Sequence, residues 1–334
     1  MEYRKLGSSD VKVSAVTFGA WAIGGWMWGQ QDEADAIAAL EAALEVGMTS
    51  VDTAPIYGLG SSEELIGKVF SGRKRGKAQI LTKYSMRWDK EEGEYFFDSN
   101  IEGGKTVKIY LNARKDAIVE ECEGSLRRLR TDYIDLYQCH WRDHTTPVEE
   151  TMAAMDKLLK DGKIRATGVS NFTVEDTQAA MAVVPIASHQ SPYSMVRRDI
   201  EADVIPFCRK HGIGVLAYSP LQRGLLTGKF TEHTKFAEGD NRATGNYFQP
   251  GNLRKVNAML DEIRPIANAH KATAAQVVIN WTIHRPGITA ALVGARNAKQ
   301  ARENAAAAAF TLSDEETARI NALAEGLKLD LPKR

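Results

Sequence analysis

The sequence has little cysteine, no long apolar run and no excess of charge of either sign. Cys122, Cys139 and Cys208 are the only three cysteines in 334 residues, are widely spaced and form no C-x-x-C. That count and spacing exclude a disulfide framework and a redox pair, and suit reduced thiols in a cytoplasmic protein, with Cys139 a packing residue. No run of about 18 apolar residues occurs. The opening MEYRKLGSSDVKVSAV has no basic region followed by an apolar core, so neither a membrane span nor a secretory leader is expected. Lys plus Arg equals Asp plus Glu at 43 each, without a basic block. The electrostatic footprint of nucleic-acid binding is therefore missing, and a small molecule is the expected partner.

What the sequence does have is alternation. Eight short β-branched or apolar runs recur along it: 14–18, 49–53, 79–83, 133–140, 164–170, 186–190, 214–219 and 290–295. Amphipathic helical patterns lie between or after them at 32–46, 62–70, 113–129, 148–160, 173–181, 200–211 and 298–307. This is the signature of parallel βα units. Gly47, Gly162 and Gly212 follow helical patterns as C-terminal caps, so helix-to-strand links are tight. Strand-to-helix links are long at 20–31, 84–112 and 220–252. Elaborated loops at one end of the strands predict an α/β fold of the (β/α)8 TIM-barrel type, one domain over 1–334, with its site at the C-terminal face. An N-terminal β-hairpin (YRKLGSSDVKV) and an extra C-terminal helix near 313–327, capped by Ser313 with Glu316 completing the box, lie outside the eight units. A doubly wound sheet is the competing fold. Its one hint, Gly58-x-Gly60, lacks the third glycine, since Glu63 stands there, and reads better as a turn before a helix capped near Ser61 or Ser62.

Ionisable residues sit at three successive strand ends: Asp52, Lys83 and His140, with Tyr57 five residues beyond Asp52. Alone, each has an ordinary reading, respectively a turn cap, a solvated rim charge and a half-buried histidine. Together they suggest a lysine held charged by a carboxylate, its field lowering the pKa of a nearby phenol. Such a tyrosine is a proton donor near neutral pH.

These residues stand in FGAWAIGG, VDTAPIYGLGSSEELIG, ILTKY and DLYQCHW, followed by GKIRATGVSNF, AYSPLQRGLLTGKF and VGARNAKQARENAAA. In that order the stretches resemble the aldo-keto reductase superfamily, and the first is similar to its bacterial general-stress and inositol-cluster branch. The resemblance implies a catalytic tetrad of Tyr57 as general acid or base, Lys83 tuning it, Asp52 holding the lysine, and His140 positioning and polarising the carbonyl. Tyrosine and lysine cannot supply a hydride, so a reduced nicotinamide is required.

By the same resemblance, Ala20, Trp21, Asp52, Ser170, Asn171 and Gln190 border the nicotinamide, and Tyr218 stacks on it. Ser219, Pro220, Leu221, Arg223, Gly224 and Lys229, joined by Arg242, form a loop (220–252) over the pyrophosphate. Gly294 leads to Arg296 and Gln300, which meet the 2′-phosphate, and Glu303 and Asn304 meet the adenine, so all five belong to the cofactor site. Arg296 at a helix start suits a phosphate clamp, so NADP (NADPH) is the expected cofactor. Turn, cap and solvation readings stand beside each of these assignments.

Trp21, Trp26, Trp28, Trp88 and Trp141 follow strand ends and suggest a flat, partly apolar substrate pocket that suits aromatic aldehydes and sugars alike. The 84–112 insertion reads equally as a lid or as an oligomer contact, so a homo-oligomer is possible. The expected function is NADP-dependent reduction of aldehydes or ketones, or oxidation of the matching alcohols or sugars. Two rivals remain. A nicotinamide-sensing regulatory subunit, as in potassium-channel β-subunits, would fit the same fold, although this chain starts at the hairpin without an added effector segment. A metal-dependent hydrolase is suggested by His140-x-x-Asp143-His144, but the first strand lacks H-x-H, and no metal is expected.

Overall fold

The computed structural model describes residues 1–29, 31–101, 105–236 and 240–332. Its strands in chain order are β1 (Tyr3–Lys5), β2 (Lys12–Ser14), β3 (Val16–Gly19), β4 (Ser50–Asp52), β5 (Gln79–Tyr84), β6 (Met86–Arg87), β7 (Glu94–Asn100), β8 (Thr106–Leu111), β9 (Leu136–Cys139), β10 (Thr167–Ser170), β11 (Ser188–Pro192), β12 (Gly214–Tyr218) and β13 (Ile288–Gly294). Eight of them, β3, β4, β5 and β9 to β13, pair in parallel and close into a barrel. Surrounding this barrel are α1 (Glu33–Glu45), α2 (Ser61–Phe70), α3 (Lys115–Leu129), α4 (Val148–Lys160), α5 (Val174–Met181), α6 (Val204–His211), α7 (Pro250–Ala269), α8 (Ala274–Ile283) and α9 (Ala298–Ala306). The fold is a (β/α)8 barrel. The strands β1 and β2 form the antiparallel hairpin, and α10 (Asp314–Gly326) has Ser313 and Glu316 as its capping box.

The period-two alternation of the strands separates two cores. Leu81, Leu136, Leu216 and Ala290 point into the barrel, where Leu6, Val11 and Val13 of the hairpin join them. Residues between them, such as Ile80, Tyr137 and Val215, join the larger layer between strands and helices. Two positions after Leu81 comes Lys83, and two after Leu136 comes Gln138. The inward face thus changes from apolar to polar towards the C-terminal rim.

Three details differ from the sequence reading. Helix α2 is preceded by Gly60 at φ 103°, without a side-chain cap. Ser62 instead turns inward, its hydroxyl 3.1 Å from the Ala20 carbonyl and 2.8 Å from the Thr53 hydroxyl. Two helices, α7 and α8, separate β12 from β13, and α7 begins at Pro250, inside the stretch read as a loop to 252. The 84–112 insertion contains a three-stranded antiparallel sheet in the order β6-β8-β7. Gly47, Gly162 and Gly212 take the left-handed conformation expected of helix ends. Among the described residues no helix is long and apolar enough to cross a membrane.

Candidate active site

Asp52 ends β4, Lys83 lies in β5 and His140 follows β9, three neighbouring strands of the barrel. Lys83 Nζ donates to Asp52 Oδ1 at 2.6 Å, to the Thr53 carbonyl at 2.8 Å and to the Tyr57 hydroxyl at 3.4 Å. The His140 ring meets the Tyr57 ring edge-on, 5.7 Å between centroids. All four residues of the expected tetrad therefore meet at one point on the rim. Tyr57 is directed there by backbone packing: a Cβ on Gly58 would lie 2.2 Å from the Gly24 carbonyl, so the turn can press against the first loop only with glycine there.

Lys83 is fully buried and Asp52 nearly so. Burial lowers the lysine from its ordinary pKa, opposed by the charge and hydrogen bond of Asp52. Burial and then the Asp52 charge raise Tyr57 well above its usual value. The expected lowering of the phenol by Lys83 is thus reversed in the free chain, because the nearby carboxylate and the low-dielectric surroundings outweigh the ammonium. Burial, then Lys83, hold His140 well below the usual imidazole range. At neutral pH the site holds a protonated phenol and a neutral imidazole.

Behind the lysine runs a layer of amides. Asp52 Oδ2 accepts from Gln190 Nε2 at 2.8 Å and from Gln138 Nε2 at 3.4 Å, and Ser188 donates to Gln138 Oε1. Gln190 therefore braces Asp52 across the barrel. Gln138 went unnoticed in the sequence, although it lies two residues before His140 on the same face. Asn171, at φ 59°, donates to the His140 carbonyl and the Ser170 hydroxyl and accepts from the Tyr218 hydroxyl at 2.9 Å. Ala20 closes the rim, its N–H donating to the Asp52 carbonyl.

After Tyr218, the chain turns through Ser219, Pro220 and Leu221, with Ser219, Arg223 and Gly224 all at positive φ. The Arg223 guanidinium lies 5.9 Å from the Trp21 ring. Arg242 is gripped by Asp240 at 2.6 and 2.9 Å and lies 5.0 Å from the Trp28 ring, so it ties this loop to the first one. Lys229 is exposed. At the other end, β13 leads through Gly294 to Arg296. The Gln300 side chain accepts from the Arg296 N–H at 2.9 Å, and Asn304 donates to the Gly294 carbonyl at 3.0 Å. The Glu303 side chain faces Lys299 at the surface, 3.9 Å away. Gln31, also unnoticed in the sequence, accepts from Arg296 Nε at 2.7 Å.

The tryptophans form one aromatic region. Trp21 stacks near Tyr57 at 6.1 Å and touches Trp26 and Trp28. Trp26, Trp88 and Trp141 pack with Tyr57, Phe96 and Phe97 of the inserted sheet. Trp26 Nε1 donates to Ser99 at 2.8 Å. Trp28 lies under Arg242, on the loop side of this region. Of the residues behind the hydrolase reading, Asp143 spends both oxygens on its own turn and on the N–H of Ala113, accepting from Thr145 and Thr146.

A family model of the aldo/keto reductase family matches residues 15–325. The chain is 37% identical to the aldo-keto reductase YhdN of Bacillus subtilis over 97% of this chain and 94% of that protein. It is 34% identical to the NADH-specific methylglyoxal reductase of Escherichia coli over 97% of this chain and 98% of that one. Its structure is similar to that of a glycerol dehydrogenase from Gluconobacter oxydans, with a TM-score of 0.87, 35% identity and coverage of 99% of this chain and 97% of that one. The strand-end tetrad, the barrel and these matches agree: the chain belongs to the aldo/keto reductase family of oxidoreductases.

Proposed function

We propose that this aldo/keto reductase moves a hydride between NADP(H) and the carbonyl carbon of an aldehyde or ketone, with Tyr57 exchanging the proton at the carbonyl oxygen. The observation that carries the reading is the position of Lys83 Nζ, hydrogen-bonded at once to Asp52 at 2.6 Å and to the Tyr57 hydroxyl at 3.4 Å. When bound, the nicotinamide supplies or accepts the hydride. Tyr57 is held protonated, the state that carbonyl reduction needs. Lys83 stabilises the phenolate left after proton transfer, and Asp52, braced by Gln190, keeps the ammonium in place. Neutral His140 orients the carbonyl through a ring N–H without competing for the proton. Alcohol oxidation uses the same groups in reverse.

The residues fit a dinucleotide along this face. Among the described residues, the buried indole N–H groups of Trp21 and Trp28 have no acceptor within the chain. Ser170 and Asn171 provide polar groups beside His140, and Tyr218 an aromatic face. Residues 220–236 and 240–249 flank the middle, and Arg296, just before α9, offers a cation where a 2′-phosphate needs one. Because a relative from E. coli is NADH-specific, the choice between the two cofactors is tested at Arg296. Its replacement in Arg296→Ala is expected to weaken NADPH more than NADH.

Tyr57→Phe tests the proton role. We expect turnover to fall by about 10²-fold or more, with the NADPH dissociation constant, followed by tryptophan fluorescence, changed by less than about 2-fold. Retained turnover in this variant contradicts the assignment. Tight NADPH binding by the wild type, without turnover of any aldehyde, ketone or sugar, would favour a cofactor-sensing role.

A further inference from the structure

Arg296 is held in place before any phosphate arrives. The strands β13 and β3 pair directly, with Gly294 opposite Gly19, so the loops that follow them rise side by side. Gln31, just before α1, reaches from one loop to the other. Its Oε1 accepts from Arg296 Nε at 2.7 Å and its Nε2 donates to the Arg296 carbonyl at 3.0 Å. Gln300 accepts from the Arg296 N–H. One neutral amide thus grips both the main chain and the root of the guanidinium. A long flexible arginine loses rotamer freedom when it binds an anion, and prior immobilisation reduces that loss. Glutamine does this without cancelling the charge, whereas a carboxylate at the same place would pair with it.

We propose that Gln31 is the positioning residue that sets cofactor preference, holding Arg296 in the pose that meets the 2′-phosphate. This rests on Arg296 being the phosphate-binding residue. The test is the dissociation constants of NADPH and NADH for the wild-type protein, Gln31→Met, Arg296→Ala and the double variant. Gln31→Met keeps the side-chain length and removes both polar ends. It is expected to weaken NADPH about 5- to 10-fold, the range of a net hydrogen bond or two, and NADH by less than about 2-fold. The double variant should bind NADPH no more weakly than Arg296→Ala alone, because the glutamine acts through the arginine. NADH affinity reports on folding in every variant. If Gln31→Met proves unstable, Gln31→Ala carries the test, with a selective loss of NADPH again expected.

An unchanged NADPH-to-NADH ratio in Gln31→Met, with selective loss in Arg296→Ala, overturns the role of Gln31 alone. Tighter NADPH binding in Gln31→Met overturns it too, since the glutamine would then compete with the phosphate. Equal weakening of both cofactors by Arg296→Ala overturns the phosphate assignment beneath it.

Discussion

Lys83 shows how one side chain couples stability to chemistry. It is fully buried, and its charge is tolerable only because Asp52, the Thr53 carbonyl and Tyr57 surround it. Removing either member of such a pair leaves the other charge uncompensated, a cost of about 3–5 kcal/mol. Lys83→Met should therefore lower stability as well as turnover, as denaturant melts and rates would report. A second buried group lies just outside the barrel. Glu121 accepts from the N–H of Ser85, a residue at φ 92° whose hydroxyl in turn donates to the Trp141 carbonyl. Burial pushes Glu121 up to about 8 from an ordinary 4.5. The folded chain thus holds this proton more tightly than the unfolded one. Its contribution to stability is full below about pH 4.5 and falls by up to about 1.4 kcal/mol per pH unit until about pH 8. Glu121→Gln cannot titrate, so its stability relative to wild type should rise from pH 5 to about pH 8 and then level off. A difference independent of pH contradicts a buried protonated Glu121.

The barrel strands were legible as elements because each carries its alternation at full strength: Leu81 with Lys83 inward, Ile80 with Tyr84 outward. The meeting of Asp52, Lys83 and His140 at one rim was legible for the same reason, since each follows an apolar run, whereas the roles given to them and to Tyr57 came from the family resemblance. The inserted sheet was not recognised. Its signal lay in EYFFDSN and TVKIYL around Gly103-Gly104, but Glu94, Asp98 and Lys108 on these strands resemble a solvated loop. Of the sheet's aromatics, Phe96 and Phe97 pack against Trp141 and Trp26, which lie far away in the sequence. Helix α7, with Pro250 at its start and Pro265 within it, was not among the helical patterns read. Gln31 and Gln138 gave no sequence signal, because an amide acquires its role only when folding supplies its partner. The sheet makes its own prediction. Phe97 stacks on Trp26 at 6.4 Å and Phe96 meets Trp141 at 5.4 Å, so under the proposed function this element would wall the substrate end. Phe97→Ala should raise KM for aromatic aldehydes about 3- to 10-fold and leave NADPH affinity unchanged. An equal change for small aliphatic aldehydes would show a general loosening instead.

At the scale of the molecule, the barrel closes its lower end with the hairpin and devotes its upper end to the site. The loops after β3, β5, β12 and β13 meet there through Trp21, Trp26, Trp28, Arg242, Gln31 and Arg296, and a dinucleotide lying along this face would tie them together. Saturating NADPH should accordingly raise the melting temperature, since a ligand at 100 times its dissociation constant adds about 2.7 kcal/mol. In the proposed reaction, hydride transfer is coupled to a proton held by Tyr57. This coupling is tested most directly by rates in both directions as a function of pH at saturating cofactor. Carbonyl reduction should be level through neutral pH and fall only in the alkaline range, alcohol oxidation should rise with pH as the phenol ionises, and both should be lost in Tyr57→Phe. Reduction and oxidation with the same pH dependence, or either one surviving in Tyr57→Phe, would contradict it.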